Sequence, residues 1–174
     1  MQIKIEDFAA RRIINFFASE PVAKEGVAAV GVAGQKGLFP LLQNIVAIDG
    51  VTRGLVCDRL VGVQYADGAD LAQIRALVLA EIDDYVAEGK SAEAEDTVVS
   101  LLERIEALTD SLVRPTLYRD NGGIEVLSVE NGVVLMAFTG HCAGCPYAQN
   151  TLNNVVAKTL KKYLPQIRAV QIKE

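Results

Sequence analysis

Residues 89–97, Gly-Lys-Ser-Ala-Glu-Ala-Glu-Asp-Thr, hold no large apolar side chain, and no other stretch limits the possible folds of this chain as much. A segment with nothing to bury takes no part in a core, so it reads as an interdomain linker. At 174 residues the chain is long enough for one ordinary domain or two small ones. The linker decides for two: an N-terminal domain over 1–88 and a C-terminal domain over 98–174.

Composition narrows the class. The chain is 51% hydrophobic and 22% charged, which is globular, and its net charge of -5 gives no electrostatic footprint for a polyphosphate backbone, so nucleic acid is not an expected partner. The acidity is uneven: residues 1–88 carry 8 basic and 12 acidic side chains, residues 98–174 carry 8 and 7. The first residues, Met-Gln-Ile-Lys-Ile-Glu-Asp, place acids where a signal peptide has bases, and no apolar run is long enough for a membrane span. The expectation is a soluble, cytoplasmic protein with no membrane partner. Three cysteines do not make an even disulfide framework, which suits a reducing compartment.

Along the first domain, short β-branched and aromatic runs at 2–5 and 12–18 predict strands. A third strand is expected at 27–32, within the glycine-punctuated stretch 26–37. Gly34-Gln35-Lys36-Gly37 lacks the Gly-Lys-Ser/Thr of a phosphate loop and reads as an ordinary loop. Leu38, Leu41, Leu42, Ile45 and Ile48 follow helical spacing with Pro40 in the first turn, predicting about three turns of helix. Val51–Val56 and Leu60–Tyr65 flank Cys57-Asp58-Arg59 as a strand pair, with Cys57 read as a small, partly buried residue and not a ligand. Asp70 and Gln73 then start a helix whose face is Leu71, Ile74, Val78, Ile82 and Tyr85 and which ends near Gly89.

The second domain opens on an amphipathic helix through Val98, Leu101, Leu102, Ile105, Leu108, Leu112 and Val113, with Glu103, Arg104 and Glu106 on its wet side. Pro115 is expected to bend or end it, with a terminal turn to Leu117. Asp120-Asn121-Gly122-Gly123 reads as a turn, and Asn131-Gly132 as the turn of a hairpin between 124–129 and 133–139. Leu152, Val155, Val156, Thr159, Leu160 and Tyr163 predict a last helix, stopped by Pro165 and followed by a strand over 167–172. The expected fold class is α+β: two small α/β-layered domains, the second running helix, hairpin, cysteine loop, helix, strand.

The reactive stretch is Thr139-Gly140-His141-Cys142-Ala143-Gly144-Cys145-Pro146. Two thiols three residues apart aim at one small volume, which suits a metal, a cluster or a disulfide. Pro146 favours a helix start there, so Cys145 is expected near an N-cap and both sulfurs at the positive end of a helix, as thiolates. Iron–sulfur clusters and structural zinc each want four ligands, and this loop offers Cys142 and Cys145. The simplest completion is a second copy of the chain facing the first, giving a bridged, exposed and removable cargo. His141 reads as a solvent-facing loop residue. Two alternatives stay open on residues alone: a thiol–disulfide oxidoreductase, disfavoured for want of a βαβ unit leading into the motif, and a zinc-stabilised interaction module.

Residues 98–174 resemble the C-terminal domain of NifU and the Nfu-type iron–sulfur carriers. The likeness runs through Arg114-Pro115-x-Leu117-x-x-Asp120, Gly122, Ile124-Glu125, Thr139-Gly140-x-Cys142-x-x-Cys145-Pro146 and Thr151-Leu152. Residues 1–88 are similar to the N-terminal domain of two-domain Nfu proteins through Ile14-Asn15-Phe16-Phe17 and Ile48-Asp49-Gly50-Val51. Two positions depart from the family pattern: Asp-Gly-Gly-Asp is replaced by Asp120-Asn121-Gly122-Gly123, and His141 stands where a small residue is usual. The resemblance implies a non-enzymatic carrier that binds a [4Fe–4S] cluster between two subunits through Cys142 and Cys145. It further implies passage of that cluster to apo-proteins, with upstream assembly proteins as donors.

Overall fold

The computed structural model describes residues 1–91 and 99–173. The chain is α+β and divides into two compact units, Met1–Ser100 and Leu101–Glu174. Most of the linker expected at 89–97, and the helix start expected at Val98, lie outside the described residues.

The first unit is a five-stranded sheet of β1 (Ile3–Phe8), β2 (Ile13–Ala18), β3 (Ala28–Val32), β4 (Val51–Cys57) and β5 (Leu60–Tyr65) in the order β1-β2-β5-β4-β3. Every neighbouring pair is antiparallel. The glycine-rich stretch forms a strand because α1 (Pro40–Val46) lies close over it. Gly31 and Gly54 face each other across β3 and β4, and a methyl on either would sit 2.5 Å from Leu38 or 2.8 Å from Leu42. Helix α1 has two turns, not three: Ile48 falls beyond its cap at Ala47, in the turn that leads into β4. Helix α2 (Leu71–Ala87) starts as its sequence predicts, Asp70 accepting from the Gln73 N–H at 3.1 Å. Ile74, Val78, Ile82 and Tyr85 bury one side of α2 in a core with Phe16, Leu41, Leu42, Ile45 and Val63.

The second unit is a three-stranded sheet, β6 (Gly122–Glu130), β7 (Val133–Gly140) and β8 (Ala169–Ile172), in sequence order. Asn131 (φ 52°) and Gly132 (φ 78°) both take left-handed conformations, which is the two-residue turn that matches the twist of a hairpin. Strand β8 pairs with β7 in parallel, so the cysteine loop and the following helix make a β-α-β crossover. What leads into the motif is the antiparallel β6–β7 hairpin, as expected, with no β-α-β unit ahead of it; the crossover that contains the motif was not expected, because the pairing of a short C-terminal strand depends on partners distant in sequence.

The opening helix does not stop at Pro115. Helix α3 (Leu101–Leu108) widens into a π-helical turn, Thr109–Val113, and resumes as α4 (Arg114–Arg119). Proline lacks the N–H for an i→i−4 bond and crowds that carbonyl, and the extra residue of the π turn shifts the ladder just ahead of it. The buried stripe also sits off the predicted register: Arg104 is only 4% exposed, while Leu102 faces out at 48%. After the cysteine loop come α5 (Ala148–Thr151), a second π segment, Leu152–Ala157, and α6 (Lys158–Tyr163). Leu152, Val156 and Leu160 from this run are buried, as are Ile105, Leu108, Ile124, Val134 and Met136. Among the described residues no helix is long and apolar enough to cross a membrane.

Candidate metal centre

Strand β7 delivers the loop. At its end Gly140 has φ 59°, and a side chain there would overlap the carbonyl oxygen of Asn121, so the strand leaves the sheet where only glycine fits. The loop is then built from backbone turns. His141 N–H donates to Asn121 O at 3.1 Å, Cys142 N–H to Thr139 O at 3.2 Å and Ala143 N–H to Gly140 O at 3.1 Å. Cys145 N–H donates to Cys142 O at 3.3 Å, and Ala148 N–H to Cys145 O at 3.0 Å. That last bond closes a turn over 145–148, and the helix begins at Ala148 with Tyr147 as its cap. Cys145 is therefore not at the helix N-cap, and Pro146 serves the turn and not the first helical position.

Both thiols are free and half-buried. Burial is the largest influence on Cys142 and pushes its pKa up; the Gly123 backbone N–H, donating to the sulfur, pulls it down. The neighbouring Cys145 and Asp120 charges add to the upward push. The predicted thiolate-favouring setting is thus reversed at Cys142, since desolvation acts on it where a helix terminus was expected to. Around Gly144, at φ 74°, no heavy atom outside the adjoining residues lies within 4 Å of where a Cβ would stand, so the middle of the loop is open to an inorganic group.

The other sequence candidates have settings of their own. Cys57 is 1% exposed in the core of the first unit. His141 is exposed, and its backbone N–H is committed to Asn121. Among the described residues no three or more His, Cys, Asp and Glu side chains converge closely enough to hold a metal ion. Cys142 and Cys145 are the two thiols that the loop itself brings near each other.

Supporting residues appear that the helical pattern alone does not assign. Arg114 is buried, donating from Nε to Ile124 O at 3.0 Å and from one terminal nitrogen to Glu106 at 2.9 Å and Asp110 at 2.7 Å. It ties the helix to β6 two residues past Gly122. Glu106, expected on the wet side, is a partner in this buried network. Gly122 and Gly123, expected in a turn, open β6, pairing with Gly140 and Thr139. The signals for both were the Arg-Pro pair inside a helical pattern and the doubled glycine; neither names its partner without the fold.

Known proteins share sequence with this chain. A family model described as the NifU-like domain matches residues 105–171. "NFU1 iron-sulfur cluster scaffold homolog, mitochondrial" of Drosophila persimilis is 30% identical over 142 residues, 76% of this chain and 50% of that protein. The protein of the same name in Drosophila ananassae is 29% identical with the same coverage. "NifU-like protein 4, mitochondrial" of Arabidopsis thaliana is 26% identical over 172 residues, 91% of this chain and 61% of that one. The chain spans about half the length of the Drosophila relatives. Residues 105–171 form a NifU-like domain, carried on a chain that is similar to Nfu-type proteins.

Proposed function

We propose that this chain is a non-enzymatic iron–sulfur cluster scaffold and carrier, holding a [4Fe–4S] cluster between two copies through Cys142 and Cys145 of each. The observation that carries the reading is the half site: two free, half-buried thiols on an open loop, with no third metal-binding side chain among the described residues beside them. Such a cluster wants four thiolates, and a second copy related by twofold symmetry supplies the missing two. The relatives named as iron–sulfur cluster scaffolds support the cargo class. A cluster held by two facing loops is released when the copies part, which suits delivery to apo-proteins and loading by upstream assembly proteins. The proposed location is the cytoplasm, whose reducing poise keeps all three cysteines as thiols.

A thiol–disulfide oxidoreductase using the same pair gains from the β-α-β crossover. It loses more from the cysteines themselves. An attacking thiol of that class is activated by a lowered pKa, and here burial raises Cys142. A zinc-stabilised module would need the same second copy to reach four ligands. Anaerobic incubation of the reduced chain with ferrous iron and sulfide separates the three. The carrier turns brown, elutes as a dimer and passes its cluster to an apo iron–sulfur protein; an oxidoreductase reduces disulfides without metal, and a zinc module stays colourless. A colourless monomer after reconstitution would sink the proposal.

A further inference from the structure

Gly122 has no conformational need to be glycine. Its φ is not among the positive values of this chain, and it lies in the regular register of β6 opposite Gly140. What excludes a side chain is Cys142. A methyl built on Gly122 would overlap the Cys142 Sγ and stand 3.1 Å from its Cβ and 3.2 Å from its backbone nitrogen. Two residues on, Ile124 O is held by the buried Arg114 at 3.0 Å, so this part of β6 is fixed to the helix.

We propose that Gly122 is a positioning residue of the metal centre: the volume left by its missing side chain is the seat of the Cys142 sulfur and sets the direction in which that sulfur is presented. The seat deepens the carrier reading and rests on it for its purpose, since two copies meet across one cluster only if each holds its sulfurs in a fixed direction. Its existence, however, is a property of the metal-free chain. Cys142 is then the anchored thiol of the pair, backed by β6, and Cys145 lies beyond the open turn at Gly144.

A double-mutant cycle on the full, metal-free chain tests this without reference to iron. The variants are Gly122→Ala, Cys142→Ala and the pair together. The chain has two methionines, Met1 and Met136, and Met136 is fully buried in the second unit, so the loss of its methyl resonance on heating reports that unit alone. Forcing a methyl into an occupied space should lower the midpoint of Gly122→Ala by about 5–15 °C. With the sulfur removed, the same substitution should cost under about a third of that shift, because the new methyl takes the vacated volume. Should Gly122→Ala fail to fold, recovery of the fold in the double variant is the supporting result. Equal losses in both backgrounds, or a double variant that also fails to fold, overturn the proposal.

Where Gly122→Ala folds, iodoacetamide labelling at one pH, resolved by peptide mass, gives a readout that packing alone would not move. The ratio of Cys142 to Cys145 modification should rise by about threefold or more once the sulfur is unseated and more exposed. An unchanged ratio in a folded Gly122→Ala chain also overturns the proposal. Neither readout depends on cluster loading, so a failed seat and a failed carrier reading are told apart.

Discussion

Each of the two units holds cysteine, and they treat it in opposite ways. The first unit surrounds Cys57 with a five-stranded sheet and leaves it 1% exposed, a small apolar group with no access to reagents. The second unit has a smaller sheet and puts Cys142 and Cys145 on a loop at the end of its central strand, half-buried, backed by a strand that begins with two glycines. Burial in the first is nearly complete because strands β2, β4 and β5 are buried along most of their length. In the second, polar side chains do the bracing: Arg114, Glu106 and Asp110 form a buried charged network that carries the strand behind the sulfur. The exposure of a thiol in this chain follows the unit it occupies.

The contrast breaks most easily at the thiols. Cys142→Ala or Cys145→Ala is expected to abolish both the brown colour and the reconstituted dimer, whereas Cys57→Ala keeps both; equal loss in Cys57→Ala, seen by absorbance and gel filtration, would remove the distinction between the units. Next in size is the bracing. Arg114→Ala removes the guanidinium that pairs with the buried Asp110 and holds Ile124 O, and breaking a buried pair costs about 3–5 kcal/mol. Urea denaturation followed at the Met136 methyl should register that loss in the second unit, and a change below about 1 kcal/mol would mean the network does not brace β6.

The raised pKa of Cys142 gives a pH-dependent sharpening. A thiol whose pKa is pushed up is less ionised at neutral pH than an exposed cysteine. Alkylation of Cys142 in the metal-free chain should therefore lag an unstructured cysteine peptide several-fold near pH 7 and close the gap as pH rises, while Cys57 stays protected until the first unit unfolds. Alkylation as fast as the peptide at pH 7 would contradict the burial argument. The smallest effect is expected at His141, exposed beside the thiols. A His141→Ala chain should transfer its cluster at the wild-type rate, and a marked slowing would make the imidazole part of the site.

The legible parts of this fold were those set by neighbours in sequence. Asp70 and Gln73 announced a helix start, Asn131-Gly132 a hairpin, and the β-branched and aromatic run through Ile13–Ala18 a strand. Cys142 and Cys145 stood out because their chemistry is written in the spacing. What stayed hidden depends on contacts made only in the folded chain. Arg104 and Arg114 read as solvent-facing or unassigned until burial and partners were present. Pro115 read as a bend or an end with one more turn to Leu117, and the π turn that accommodates it has no simple local signature. Gly122-Gly123 read as a turn, since nothing adjacent reveals that a sulfur twenty residues later needs the space. The helix after Cys145 started late for a similar reason: a turn bond from Ala148 to Cys145 outcompeted the helical position Pro146 would have taken.

Native mass spectrometry of the reconstituted chain bears most directly on the claim that one polypeptide carries half a ligand set. The account predicts a single loaded species of two chains and one [4Fe–4S] cluster, with unloaded chain at the monomer mass. A loaded species of one chain retaining a complete four-iron cluster would contradict it.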